Sequence, residues 1–140
     1  MSNSTDAPIV TPYLCYGDPG KAIDWLVEAF GFTKLAAYDD GAGNIVHAEL
    51  RVGDRGMLMI SPANPTLGMG DPQRLTATSV GIFVRLAAKE EVDRVHAGAV
   101  AAGATVLLDL EEKSHGSYEF TCHDLAGHVW TFGTYNPGLG

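Results

Sequence analysis

The stretch PYLCYGDPGKAIDWLVEAFGF, residues 12–32, decides the fold. It reads as a strand running into a helix with a marked start and a marked stop. Asp18 offers an N-cap oxygen, and Pro19 follows at the first helical position, where its missing N–H costs nothing. Ala22, Ile23, Leu26, Val27 and Phe30 recur at helical spacing and form one apolar stripe. Gly31 then supplies a left-handed cap. The run before the turn, Ile9–Tyr16, is rich in β-formers and reads as the opening strand.

Working outward, Phe32–Asp39 is a second strand, and the DDGAG run at 39–43 is turn chemistry. Asn44–Val52 alternates, with Val46, Ala48, Leu50 and Val52 on one face and His47, Glu49 and Arg51 on the other. Gly53–Gly56 turns the chain into Met57–Ser61. The same order then returns. Ser79–Leu86 is a strand, and residues 88–102 form a helix with Val92, Val95, His96 and Ala99 inward, closed by Gly103. Ala104–Leu110 is a strand, followed by a polar loop at 111–117. Tyr118–His123 and His128–Tyr135 form a hairpin around Asp124–Gly127. Gly31 and Gly103 stand 72 positions apart, and Gly56 and Gly127 stand 71 apart. This near-constant offset predicts a duplicated βαβββ module, at about 8–61 and 78–136, joined by a linker or flap at 62–77. Neither half buries its apolar face alone, so the halves pair. The chain is therefore expected to be a single α+β domain.

The chain carries 9 Lys and Arg against 17 Asp and Glu, a formal charge of −8. That balance argues against nucleic acid, whose phosphates need a basic face, and suits a cationic small molecule. No apolar run approaches the roughly 18 residues of a membrane helix, so no membrane partner is expected. The opening MSNSTDAP lacks the basic start and apolar core of a signal peptide. Cys15 and Cys122 have no metal-type spacing and read as reduced thiols, so a cytoplasmic location is expected. Gly68-Met69-Gly70 runs into Asp71-Pro72 and cradles no phosphate. Ser61 and Ser117 lack a nucleophile context.

Three segments carry a resemblance to a known family: residues 12–32 above, NIVHAELRVGDRGMLMIS at 44–61, and YEFTCHDLAGHVWTFGTYNP at 118–137. Together and in this order they resemble the vicinal oxygen chelate superfamily of glyoxalase I, bleomycin-resistance proteins and extradiol dioxygenases, with the second segment similar to its PhnB-like branch. The resemblance covers about residues 8–136. It implies two βαβββ modules in a U-shaped, partly closed sheet around a cavity, and a homodimer. It also implies four metal ligands in the metal-dependent members, one from the first and last strand of each module. Carried over, those positions fall on Thr11, near Val80, on Ile60 (or Met59 with a one-residue slip) and on Thr131. None is a usual ligand for a divalent metal, so no metal and no cofactor are expected.

His47 and Glu49, two apart on one strand, point the same way. They admit several readings: a ligand-contacting pair, a base oriented by a carboxylate, half of a relocated metal site, or a pair that satisfies itself. Tyr13 shares the parity of Thr11 and Cys15, the row expected to face the cavity, and its ring suits a flat or cationic ligand. Trp130 and Phe132 lie opposite Thr131 and are expected in the core. Glu119, Thr121 and His123 alternate with Tyr118, Phe120 and Cys122, and the sequence leaves open which row faces the cavity. His123 and His128 are expected at the rim, and His115 in an exposed loop or gate. The candidate ligand-binding residues are Tyr13, Cys15, His47, Glu49, Thr121 and Thr131. The leading expectation is a metal-free protein of the bleomycin-resistance type that sequesters an aromatic or cationic compound, with a role in antibiotic resistance. The rival is a glyoxalase-, lyase- or isomerase-type enzyme using His47 and Glu49, with or without a divalent metal. The ligand's identity, and whether modules swap across a dimer, stay open.

Overall fold

The computed structural model describes residues 8–136 and 138. The polar start read for a leader lies, up to residue 7, outside the described residues. Module 1 comprises β1 (Tyr13–Cys15), α1 (Pro19–Phe30), β2 (Thr33–Asp39), β3 (Ile45–Val52) and β4 (Gly56–Ser61). Module 2 comprises β5 (Gly81–Arg85), α2 (Lys89–Ala101), β6 (Thr105–Glu112), β7 (Tyr118–His123) and β8 (Val129–Gly133). Between them run two 3-10 turns, Pro65–Leu67 and Pro72–Arg74.

Each module folds into a four-stranded mixed sheet, in the orders β1-β4-β3-β2 and β5-β8-β7-β6. The first and last strands of each module pair in parallel, and the remaining pairs are antiparallel. The register repeats with an offset of 72: the pair Ala48–Ile60 recurs as Phe120–Phe132. No strand pair joins the two sheets among the described residues, so the sheet is only partly closed. The duplication read from the glycine spacing is thus present in the fold.

The local signals of α1 act as their chemistry dictates. Asp18 Oδ1 accepts from the Lys21 amide at 3.2 Å. Gly31, at φ 75°, sends its amide to the Val27 carbonyl. Ile23 and Leu26 pack with Ala48, Leu50, Leu58 and Ile60 in one buried core that also takes in Phe120, Trp130 and Phe132 of module 2. Phe30 is the joint, with its ring 5.4 Å from that of Trp130 and 4.7 Å from that of Phe132. The helices touch directly. A Cβ on Gly98 of α2 would lie 2.7 Å from the Ala29 carbonyl, so only glycine permits this approach.

Several boundaries differ from the sequence reading. β1 begins at Tyr13 rather than Ile9, because Pro8 and Pro12 flank the earlier run and supply no N–H to a ladder. Ile9 and Val10 are exposed. β5 begins at Gly81, which leaves Val80 outside the strand. β6 continues through Glu111 and Glu112, which pair with Glu119 and Tyr118; the residues expected as loop are tolerated there because β6 is an edge strand. β8 starts one residue later than read and ends at Gly133. Val46, expected on the core face, is exposed. The β2–β3 register advances one residue on β2 (Tyr38 to Asp39) and two on β3 (His47 to Ile45), so Val46 is the extra residue of a bulge. Ile45 packs against the core in its place.

The modules are also tied by one buried carboxylate. Asp124 Oδ1 accepts the amides of Ala126, Gly127 and His128 at 2.9, 3.0 and 3.1 Å. Its Oδ2 accepts from Tyr16 Oη at 2.6 Å, across the module boundary, and from Trp130 Nε1 at 3.0 Å. Burial, then the Asp124 charge and hydrogen bond, hold the Tyr16 phenol well above its ordinary pKa of 10.0. The unfolded phenol therefore loses its proton first, and the folded state loses stability as pH rises past about 10, by about 1.4 kcal/mol per pH unit. Urea midpoints at pH 8, 10 and 11 should fall accordingly, and Tyr16→Phe should flatten that part of the slope. An unchanged slope in the variant would remove Tyr16 from the account.

Candidate functional site

Pleating sends alternate residues of each strand to the face turned away from the helices, here the open face. In module 1 this row carries Tyr13, His47, Glu49 and Met59; in module 2 it carries Phe83, Glu119, Thr121 and Thr131. The row left unresolved by the sequence is settled by its alternate. Tyr118 Oη donates to Asp93 of α2, and Phe120 and Cys122 are buried in the core. Burial, then the Asp124 charge, pushes the Cys122 thiol up to about 12, so it stays protonated and unreactive at neutral pH.

The candidate residues occupy three places. Tyr13 lines a groove of about 770 Å³ between the edges of β1 and β5, together with Val10, Leu75, Val80, Phe83 and His128. His47 and Glu49 form a hydrogen-bonded pair on the open face of module 1, with Nε2 3.0 Å from Oε2. The Tyr38 ring stacks beside His47 at 6.0 Å. With Nε2–H donating to Glu49, Nδ1 of the neutral ring carries the free lone pair. Thr121 and Thr131 bond each other on module 2, Oγ1 to Oγ1, at 2.7 Å. Cys15 is buried, its Sγ 3.6 Å from Ser61 Oγ and 3.5 Å from the Pro62 carbonyl. The structure therefore brings His47 to Glu49 and Thr121 to Thr131, but does not gather all six residues in one pocket.

The histidines expected at the rim separate. His128 Nε2 donates to the Cys15 carbonyl at 2.8 Å and meets the Tyr16 ring edge-on, bracing the modules against each other. His123 is half-buried at the end of β7, opposite Val129, while His96, expected on the inner side of α2, packs edge-on against Phe120 and pairs with Asp109 at 2.9 Å. The segment at 62–77 is held to both modules. Asp71 lies against Gly17, and Gln73 Nε2 donates to the Leu125 carbonyl.

Phe83 was missed from sequence. Its signal was the repeat itself, since Tyr13 opposite Met59 in module 1 corresponds to Phe83 opposite Thr131 in module 2. Of the transferred positions, Thr131 and the alternative Met59 lie on the open face. Ile60 lies in the core, and Thr11 and Val80 precede their strands. The open-face residues of the first and last strands are Tyr13, Met59, Phe83 and Thr131. Two aromatic rings, a thioether and a hydroxyl do not fit a divalent metal, which needs converging imidazole, thiolate or carboxylate donors. No group of three or more His, Cys, Asp or Glu among the described residues is placed to hold a metal ion. No helix among them is long and apolar enough to cross a membrane.

Two βαβββ modules related by a constant register, each with a helix-free face beside an inter-module groove, define a paired-module fold with room for a small molecule. The model of the Glyoxalase/Bleomycin resistance protein/Dioxygenase superfamily matches residues 8–132, and the chain belongs to that family. An uncharacterized protein of Mycobacterium bovis is 31% identical over 129 residues, covering 90% of this chain and 82% of that protein. Among solved structures, TioX from Micromonospora sp. ML1 superposes with a TM-score of 0.71 at 28% identity, over 95% of this chain and 100% of that one. The fosfomycin resistance protein FosX from Listeria monocytogenes, complexed with Mn(II) and sulfate, superposes at 0.67 with 14% identity, over 98% of this chain and 96% of that one, and shares the fold alone.

Proposed function

We propose that the protein binds an aromatic or cationic small molecule between its modules and acts by sequestration, without a metal or cofactor. The observation that carries this reading is that Tyr13 and Phe83, at equivalent strand positions, both line the groove. Two rings offer stacking surface and face potential for a cation, and the charge of −8 adds a favourable field. Antibiotic resistance is the role this reading suits best. The His47-Ala48-Glu49-Leu50 run supports the PhnB-like branch. Two unpaired, buried cysteines suit a cytoplasmic location. A homodimer is the proposed working unit. Tyr38, Leu107 and Leu108, exposed by 57%, 44% and 55%, are apolar surface that a second copy would cover.

A second reading rests on the His47–Glu49 bond. In a glyoxalase-, lyase- or isomerase-type reaction, Nδ1 of His47 takes the proton and the Glu49 carboxylate stabilises the imidazolium that forms.

The two readings part on one measurement. Protein purified without chelator should contain well under one equivalent of zinc, nickel, iron or manganese. A cationic aromatic compound at about 100 times its Kd should raise Tm by roughly 8–10 °C. One equivalent of metal, lost in His47→Ala, would replace the binding reading with the enzymatic one. Sedimentation velocity should give twice the 14.8 kDa chain mass, and a monomer at micromolar concentration would remove the dimer.

A further inference from the structure

Module 2 carries a second cluster that the candidate site does not use. Glu119 projects from β7 onto the open face, and its side chain is only 14% exposed. Opposite it stands Gly133 of β8. A Cβ on Gly133 would lie 2.7 Å from Glu119 Cβ, 2.9 Å from Ser117 Oγ and 3.2 Å from Phe83 Cζ, so these three groups converge over a floor with no side chain. Ser117 is fully buried, and its hydroxyl accepts the Tyr135 amide at 3.2 Å, which fixes where Tyr135 begins. The Tyr135 ring meets His115 edge-on at 5.0 Å, and His115 Nε2 stands 3.5 Å from Glu119 Oε1, long for a charge-assisted bond. Phe83 and Tyr135 are both large, apolar and more than a third exposed. A carboxylate largely withdrawn from water thus stands beside His115, with the Phe83 ring over the neighbouring Gly133 and the Tyr135 ring packed on His115.

Apart from His115, that carboxylate has no basic side chain paired to it among the described residues. Among the described residues, no Lys or Arg side-chain nitrogen lies within 4.0 Å of the Glu119 carboxylate oxygens. Arg85 sits opposite Gly133 on β5 and makes no ion pair, and Lys113 engages Glu111, the β6 neighbour of Glu119. The site is not a copy of the module 1 pair. With the register offset of 72, Glu119 falls where module 1 has His47, and Thr121 falls where it has Glu49. A compact cation satisfies both halves of this environment at once, since a carboxylate attracts it and ring faces take up its surface.

We propose that Glu119, Phe83, His115 and Tyr135, set around the bare Gly133, form a subsite for the ammonium or amidinium group of the bound ligand. This rests on the reading of the chain as a small-molecule binder and names the part of the ligand that module 2 recognises. Phe83 belongs to both the groove and the subsite, so the ligand's ring lies along the groove while its charge reaches Glu119.

The test is calorimetric titration with benzyltrimethylammonium and with its uncharged carbon isostere, on wild type, Glu119→Gln, Phe83→Leu and His47→Ala. Wild type should bind the cation at least tenfold tighter than the isostere. Glu119→Gln should lose that preference while still binding the isostere, and Phe83→Leu should weaken both. Glu119→Gln is isosteric, and an unchanged circular dichroism spectrum checks its fold. Equal preference for the cation in wild type and Glu119→Gln would overturn the subsite and leave the binding function standing. A lost preference only in His47→Ala would move the charge recognition to module 1. No binding of either compound to wild type would defeat both the subsite and the proposed function.

Discussion

Asp124→Ala is expected to lower the unfolding free energy by about 3–5 kcal/mol, much of the 5–15 kcal/mol that a domain of this size holds. The carboxylate is 5% exposed and accepts from five donors: three loop amides, Tyr16 Oη and Trp130 Nε1. Its removal strands four of them, since the Gly127 amide also reaches the Asp124 backbone carbonyl at 3.2 Å, and a stranded buried donor costs roughly 1–3 kcal/mol before water enters the gap to relieve part of the loss. Asp124→Asn should be milder, at about half that loss. Its remaining oxygen still serves the loop amides, and its amide nitrogen donates to Tyr16, but nothing then accepts from Trp130. Urea unfolding followed by circular dichroism decides the matter. A loss under 1 kcal/mol for the alanine variant would show that the five bonds are replaced by water at little cost.

The second large effect belongs to Phe30→Ala, expected to cost about 3–5 kcal/mol. The ring sits among Trp25, Phe32, Trp130 and Phe132, with centroid distances of 5.2, 5.5, 5.4 and 4.7 Å. Two of those neighbours belong to module 1 and two to module 2, so the cavity would open at the junction of the halves. The core is one cluster, and unfolding should therefore remain a single transition at a lower midpoint. Trp25 and Trp130 report on different modules. Single-tryptophan variants carrying Phe30→Ala should give coincident curves. Separate midpoints would mean that each module stands alone, and the account of a shared core would fall.

The balance between what was legible and what was not follows from the range of the forces involved. The α1 cap, the apolar stripe and the Gly31 stop act within a few residues, so their chemistry is readable in order along the chain. Period-2 alternation likewise placed Ala48 and Leu50 in the core and His47 beside Glu49 on the other face. The repeat was readable because both modules needed a helix stop and a last hairpin in the same places. Val46 was misplaced because a bulge depends on how β2 and β3 count against each other, and neither strand alone encodes that difference. The transferred position Thr11 falls ahead of its strand for a related reason. Pro12 shortens β1, and the pairing with β4 then selects Tyr13 rather than Thr11.

The candidate site shows the same division. His47 and Glu49 were visible together because strand geometry brings residues two apart to one face, whatever surrounds them. Phe83, Glu119 and Asp124 were not readable as parts of a site. Asp124 reads as turn chemistry, and its link to Tyr16 spans 108 positions of sequence. Glu119 acquires its aromatic surroundings only where β5, β7, β8 and the loop before β7 meet above Gly133.

By itself the sequence determined the order of elements, the twofold repeat, the core side of Ala48 and Leu50 and the acidic character of the chain, because caps, turns and periodicities are short-range. Only the tertiary structure decided which ring stands opposite which strand, which carboxylate receives five donors and which one stands beside His115 at the bare Gly133. Those outcomes depend on register and on contacts between distant segments, where a shift of one residue sends a side chain to the opposite face.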